Sequence, residues 1–274
     1  MPTNIEWTNE TWNPITGCTP ISEGCKNCYA KRMAKRLAGR YGYPEQPHEF
    51  DVTLHPEKLN QPLHWKKPRM IFVCSMGDLF HKDVEYEWIF KIFAVMSLNQ
   101  QHTFQILTKR PENMKKWFDY YSVGGFGTRE IVKSRANKIK GLTETPAGWT
   151  NMSWPLPNVW LGVTAENQQT ANERIPGLLK TPAAVRFVSV EPMLEGMMVD
   201  GYLNKDPNLA TLDWVICGGE TGPRAREMKT EWARDLYRQC KEDGAPFFFK
   251  KPGDAFKGNV EDLPMVREWP KGSE

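Results

Sequence analysis

Met70-Ile71-Phe72-Val73-Cys74, followed at once by Ser75-Met76-Gly77-Asp78, is the stretch from which the fold can be read. A short apolar run bounded by polar residues and glycine predicts a buried strand that ends in a turn. The same unit recurs along the 274 residues of the chain, with apolar runs at 104–107, 159–163, 185–190, 214–217 and 247–249. Each run ends in a polar cluster: Thr108-Lys109-Arg110, Thr164-Ala165-Glu166-Asn167, Glu191-Pro192, Gly218-Gly219-Glu220 and Lys250-Lys251.

Helical patterns lie between several of these runs. Ile89, Ile92, Phe93 and Met96 share one helical face, as do Met114, Trp117, Phe118 and Tyr121. Ala233, Leu236, Tyr237 and Cys240 form a third stripe, with Thr230 placed to cap its start and Gly244 to stop it. Alternating strands and helices imply an α/β fold with a parallel sheet and right-handed crossovers. With a weaker first strand near 11–15 there are six or seven strands, enough for a partial (β/α) TIM-like barrel. Residues 1–274 read as one domain. Residues 122–157 break its rhythm with Gly124-Gly125-Phe126-Gly127, Pro146, Trp149, Trp154 and Pro155, and read as an inserted loop, subdomain or substrate lid. Lys133, Arg135, Lys138 and Lys140 make the insertion basic.

In parallel α/β folds the functional site forms at the carboxyl ends of the strands. The clusters behind the runs therefore predict a polar rim there. Gly218-Gly219 allows close approach to a ligand and equally serves a tight turn. No third glycine stands at dinucleotide spacing, and the chain has neither a phosphate-binding G-x-x-x-x-G-K-[ST] loop nor a G-x-S-x-G elbow.

The chemistry is carried by another segment. Cys18, Cys25 and Cys28 form a C-x6-C-x2-C array within Trp12-Asn13-Pro14-Ile15-Thr16-Gly17-Cys18 and Gly24-Cys25-Lys26-Asn27-Cys28-Tyr29-Ala30. Three thiolates suffice for three irons of a [4Fe–4S] cluster, leaving the fourth iron open to a substrate or cofactor. Behind Cys28, Ala30, Met33, Ala34, Leu37 and Ala38 repeat at helical spacing over 29–40, with Lys31, Arg32, Lys35, Arg36 and Arg40 around the rest. The third cysteine thus stands at the mouth of a basic amphipathic helix, where backbone N–H groups favour an anionic ligand. That basic face is a solvated surface or a contact for phosphate or nucleic acid.

A net charge of +3 permits an acidic partner without demanding one, and 40% hydrophobic residues are ample for a core. No apolar run is long enough to span a membrane, and the opening Met1-Pro2-Thr3-Asn4-Ile5-Glu6-Trp7 lacks the features of a signal peptide. The expected setting is cytoplasmic and reducing, where a tight cysteine triplet binds metal and Cys74, Cys217 and Cys240 serve as small core residues.

With these residues in view, the chain resembles the phage-type radical-SAM-like proteins of unknown function found in phage and prophage genomes. The resemblance rests on Ile5-Glu6-Trp7-Thr8, Thr11-Trp12-Asn13-Pro14, the cysteine triplet with Tyr29-Ala30, and Ser75-Met76-Gly77-Asp78-Leu79-Phe80-His81. It continues through Leu107-Thr108-Lys109-Arg110-Pro111, Asn158-Val159-Trp160-Leu161-Gly162-Val163, Glu191-Pro192 and Gly218-Gly219-Glu220-Thr221-Gly222. Three features depart from the usual radical SAM pattern: the first cysteine gap is six residues rather than three, the aromatic residue follows the last cysteine as Tyr29 where Asn27 precedes it, and Gly-Gly-Glu follows the sixth strand rather than the second.

The resemblance implies a radical S-adenosylmethionine enzyme. Cys18, Cys25 and Cys28 would hold a [4Fe–4S] cluster whose open iron chelates S-adenosylmethionine, and an external electron donor would drive release of a 5′-deoxyadenosyl radical. Lys109, Glu166, Glu191 and Glu220 would orient cofactor or substrate, and Ser75, Asp78, Thr108, Gly218 and Gly219 would contact the cofactor. The basic helix and insertion favour a nucleobase, nucleotide, DNA or RNA substrate. Two readings compete with this one. In a zinc-supported nucleic-acid-binding module without catalysis, one of His48, His55, His64 and His81 would complete the cysteine triplet. In a zinc deaminase, His55-Pro56-Glu57 would supply H-x-E, but in reversed order relative to Cys25–Cys28.

Overall fold

The computed structural model describes residues 3–119, 127–139, 152–203 and 208–271. The chain opens with β1 (Glu10–Trp12), β2 (Ile15–Thr16), α1 (Tyr29–Leu37), β3 (Thr53–Leu54) and the short α2 (Pro56–Leu59). Strands and helices then alternate: β4 (Met70–Val73), α3 (Tyr86–Ser97), β5 (Thr103–Thr108), α4 (Pro111–Asp119), α5 (Thr128–Ile139), β6 (Val159–Thr164) and α6 (Gln168–Leu179). β7 (Val185–Val190), β8 (Trp214–Cys217), α7 (Thr230–Asp243) and β9 (Phe247–Phe249) complete the order.

Seven strands form one sheet in the order β1-β4-β5-β6-β7-β8-β9, and every neighbouring pair is parallel. Spatial order follows chain order, so each crossover steps in the same direction, whereas a doubly wound sheet reverses partway. The sheet curls into a half-barrel, as the sequence predicts. β2 and β3 make a separate antiparallel pair, Ile15 opposite Leu54 and Thr16 opposite Thr53. Among the described residues no helix is long and apolar enough to cross a membrane.

The period-two alternation of the strands builds two different layers. On the outer face Ile71, Val73, Phe104, Ile106, Leu161, Val163, Val188, Val190, Val215, Phe247 and Phe249 pack with α3, α4, α6 and α7 in the main core. On the inner face Phe72, Trp160, Phe187, Trp214, Ile216 and Phe248 close around Trp7 in a second cluster. The Trp7 ring lies 4.7 Å from Phe72 and 6.2 Å from Trp214, and Trp214 lies 5.9 Å from Trp160. This aromatic plug fills the half-barrel towards the amino ends of the strands. Past β9 the chain returns along the sheet edge, where Phe249 N–H donates to Val266 O (2.7 Å) and Arg267 pairs with Glu6 (2.7 Å). That return covers an edge that would otherwise present unpaired backbone groups.

Three local expectations are corrected. Helix α1 stops at Leu37 rather than reaching residue 40, because Ala38 leaves helical geometry and Gly39 takes φ +70°. Lys229 holds the N-cap position of α7 and Thr230 is its first helical residue, while Gly244 ends it in the left-handed region as predicted. The described part of 122–157 contains α5, which docks on α3 in the outer layer with Val132 and Ala136 buried and Arg135 paired to Glu87 (2.7 Å). Those residues buttress the helical layer and do not form a lid over the strand ends. Residues 122–126 and 140–151, Lys140 among them, lie outside the described residues.

At Gly162, on the inner face, packing leaves no room for a side chain: a Cβ there would lie 2.5 Å from the Phe187 ring. Gly162→Val is expected to lower stability by about 1–3 kcal/mol through overpacking, read as a shifted urea midpoint with an unchanged slope.

Candidate metal centre at the strand ends

Continued towards the carboxyl ends, the inner-face alternation replaces aromatic residues by charged ones. On β6 the series runs Trp160, Gly162, Thr164, Glu166; on β7 Phe187, Ser189, Glu191; on β8 Trp214, Ile216, Gly218, Glu220. β5 adds Leu107 and Lys109, and β9 adds Phe248 and Lys250. The predicted rim of Lys109, Glu166, Glu191 and Glu220 is thus brought to one end of the half-barrel, with Lys250 completing it.

The loop carrying Cys18, Cys25 and Cys28 is tied to this rim by three carboxylate–arginine systems. Glu166 is fully buried, pairs with Arg174 (2.8 Å) and accepts from the Gly24 N–H (3.3 Å). A Cβ on Gly24 would lie 3.0 Å from the Glu166 carboxyl carbon, so glycine allows this approach. Glu220 accepts from the Asn27 amide (2.9 Å), from Arg226 N–H (2.8 Å) and from the Arg226 guanidinium (2.5 Å). Arg226 also donates to the Glu23 carbonyl (3.0 Å). Asp78 pairs with Arg110 (2.8 Å), which donates in turn to Cys18 Sγ (3.3 Å) and the Thr19 carbonyl (2.8 Å). Cys28 occupies the N-cap position of α1, as the sequence predicts.

These partners decide protonation. Burial pushes the Glu166 carboxyl up, but hydrogen bonds from Ser22 and Arg174 and the charges of Arg174 and Lys109 outweigh it and hold it below the usual range. Glu220 is likewise lowered against its burial by Arg226 and Asn27. Both acids are anchors, ionised and paired, rather than proton donors. Burial also raises the Cys25 thiol, but the Lys109 charge and hydrogen bonds from Ile21 and Ser22 prevail, so this sulfur ionises more readily than an ordinary cysteine. Burial and the Asp78 charge raise Cys18 against the pull of Arg110. Lys109 makes no side-chain hydrogen bond or ion pair among the described residues, yet its charge bears on both Cys25 and Glu166.

The remaining candidates divide. Glu191, at the end of β7 between the strands that carry Glu166 and Glu220, is bonded to Lys250 (2.5 Å). Asp78 accepts from Thr108 Oγ1 (2.7 Å) and the Phe80 N–H (3.0 Å) besides Arg110, so Asp78 and Thr108 are bonded to each other and to their own loop. Ser75 donates to Asn13 Oδ1 (3.2 Å), and its carbonyl accepts from the Tyr29 hydroxyl (2.5 Å). A Cβ on Gly219 would lie 1.9 Å from the Pro252 carbonyl oxygen, so this glycine serves close packing of the chain on itself. Gly218 lies under the Glu191–Lys250 pair, 3.6 Å from the Glu191 carboxyl carbon at its Cβ position.

The donor set suits an iron–sulfur cluster: Cys18, Cys25 and Cys28 are free, half-buried thiols on one anchored loop. Among the described residues no three His, Cys, Asp or Glu side chains are arranged to hold a single metal ion. Three of the four histidines of the zinc readings have other partners, His81 on the residue next to Cys18. His55 Nε2 bonds Thr16 (2.8 Å), His81 Nε2 bonds Thr19 (2.8 Å) and His48 Nδ1 bonds Asp51 (2.8 Å). Arg174, Arg226 and Asn27 were not legible as site residues, because nothing in their spacing marks the carboxylates they meet; Arg110 was legible only as a member of the predicted rim.

Glu166→Gln leaves Arg174 buried without a counter-charge and is expected to cost about 3 kcal/mol in stability, measured by urea denaturation. Stability should also fall with acid in two stages, read from thermal melts between pH 8 and pH 3. Burial lowers the imidazoles of His55 and His81, so their share is lost as pH drops below the unfolded histidine value of about 6.5. Glu166 and Glu220, held low in the fold, contribute fully above about pH 4.3 and lose that contribution below it.

Comparison with known proteins adds a family but no activity. No curated protein and no solved structure matches the chain. A family model matches residues 2–268, nearly the whole sequence. The chain therefore belongs to the family described as Protein of unknown function (DUF5131).

Proposed function

We propose that this protein is a radical S-adenosylmethionine enzyme of the phage-type kind, with an unusual three-cysteine [4Fe–4S] site. The observation that carries the reading is the placement of three free cysteines on one loop, anchored over the carboxyl ends of a parallel half-barrel. When bound, such a cluster would supply one-electron reduction of S-adenosylmethionine to start radical chemistry on the substrate, with the electron drawn from an external donor.

The chain's own residues have distinct tasks in this reading. Cys18, Cys25 and Cys28 hold the cluster. Arg110, fixed by Asp78, directs an N–H at the Cys18 sulfur and stabilises negative charge there. Glu166 and Glu220 hold Gly24 and Asn27, and so fix the segment bearing Cys25 and Cys28. Lys109, with no partner of its own among the described residues, offers a cation to a carboxylate or phosphate next to Cys25. Glu191 and Lys250 present a paired acid and base to a zwitterionic or polar ligand. The aromatic plug closes the floor and excludes water from below. A cytoplasmic, reducing compartment suits six free cysteines.

The test is anaerobic reconstitution with iron and sulfide, followed by EPR of the reduced protein. A [4Fe–4S] signal that shifts when S-adenosylmethionine is added, and that Cys25→Ala abolishes, is the expected result. One equivalent of zinc with no cluster would overturn the proposal in favour of a metal-supported binding module.

A further inference from the structure

Helix α1 leaves the cysteine loop at Cys28 and carries no acidic residue along Tyr29–Leu37. Only Ala30 and Ala34 of the helix are buried. Lys31, Lys35 and Arg36 are exposed on the opposite arc, and Lys26 is exposed in the loop just before it. None of these four cations has an acidic partner among the described residues, whereas Arg69, Arg110, Arg135, Arg174, Arg226 and Arg267 each hold a carboxylate. Of the acids flanking this segment, Glu23 is engaged by Arg226 and Asp51 by His48, while Glu45 and Glu49, in the turn beyond the helix, form no ion pair among the described residues.

Aromatic rings stand at both ends of this band. Tyr29 is 43% exposed, and its hydroxyl is clamped by the Ser75 carbonyl at the rim of the half-barrel. Tyr41 is 75% exposed just beyond the helix, on backbone with φ +54°. The helix between them rises about 1.5 Å per residue, or about 12 Å from residue 29 to residue 37. Cations that track a phosphate backbone, flanked by rings on which bases stack, are the elements of a single-strand nucleic-acid surface. An anionic membrane would be met by the charges, but an interfacial helix buries an apolar face in the lipid, and the apolar face of α1, Ala30 and Ala34, is buried in the protein.

We propose that α1 and its flanks dock single-stranded nucleic acid, with Lys26, Lys31, Lys35 and Arg36 on the phosphates and Tyr29 and Tyr41 under the bases. Tyr29 reaches the rim, so a strand laid along α1 brings a nucleotide to the opening beside Cys28. This deepens the functional reading by naming its substrate class, but the docking surface stands without a cluster, and the two fail separately.

The experiment is fluorescence anisotropy of labelled 20-mer oligothymidine with the full chain, both cluster-free and reconstituted, from low to high salt. Binding should weaken steeply as salt rises, because counterions are released on docking. The Lys31→Glu/Lys35→Glu/Arg36→Glu variant, whose exposed sites leave folding intact by circular dichroism, should bind at least tenfold more weakly. Tyr41→Ala should lose about fivefold, the effect of one lost stacking contact. Salt-independent binding, or binding unchanged in the triple variant, would overturn the proposal. Equal affinity for duplex with no effect of Tyr41→Ala would overturn the single-strand assignment, and binding only to phosphatidylserine vesicles would replace it with a membrane surface.

Discussion

Three buried or nearly buried carboxylates, Asp78, Glu166 and Glu220, each held by an arginine, are the constraint on which the candidate site depends. A carboxylate removed from water needs both a counter-charge and hydrogen bonds for its remaining lone pairs. Here the counter-charges come from Arg110, Arg174 and Arg226, and the remaining bonds come largely from the cysteine segment or its supports. The loop that bears the cysteines is therefore part of what satisfies the sheet's own buried acids. It cannot drift without losing the Gly24 bond to Glu166 and the Asn27 bond to Glu220, which is how a loop acquires the rigidity a metal centre needs.

The half-barrel explains why these acids stand together. One face of β6, β7 and β8 runs from large aromatic residues through small ones to charge, so the same alternation that fills the floor opens the rim. Trp7 closes the floor from outside the sheet, and Gly162 gives the Phe187 ring its place. The outer face is largely apolar and packs against the helices. Packing and chemistry are thereby assigned to different faces and different ends of the same strands. Helix α1, by contrast, contributes little to the core and leaves its cations to the surroundings, consistent with a role in contact rather than in stability.

Much of the architecture was legible because it follows from short-range rules. The runs at 214–217 and 247–249 became β8 and β9 at the predicted residues, and Gly244 ended α7 as predicted. Buried strands between helices leave few other topologies. The polar rim was legible as a set, since every strand ends in it. The individual roles were not: Asp78 and Thr108 resemble ligands of a cofactor in sequence and turn out to be satisfied within the protein. Gly219 was similarly ambiguous until its distance to Pro252 gave it a packing reason.

By itself the sequence determined the strands, the helix stripes, the cysteine triplet and its position at the mouth of a basic helix, because all of these depend on residues near one another along the chain. Only the tertiary structure decided which acids are paired and which cations are free. Glu166 meets Gly24 across 142 positions and Glu220 meets Asn27 across 193. Charge pairing acts through space over a few ångströms, and such distances in a folded chain carry no mark in its local pattern.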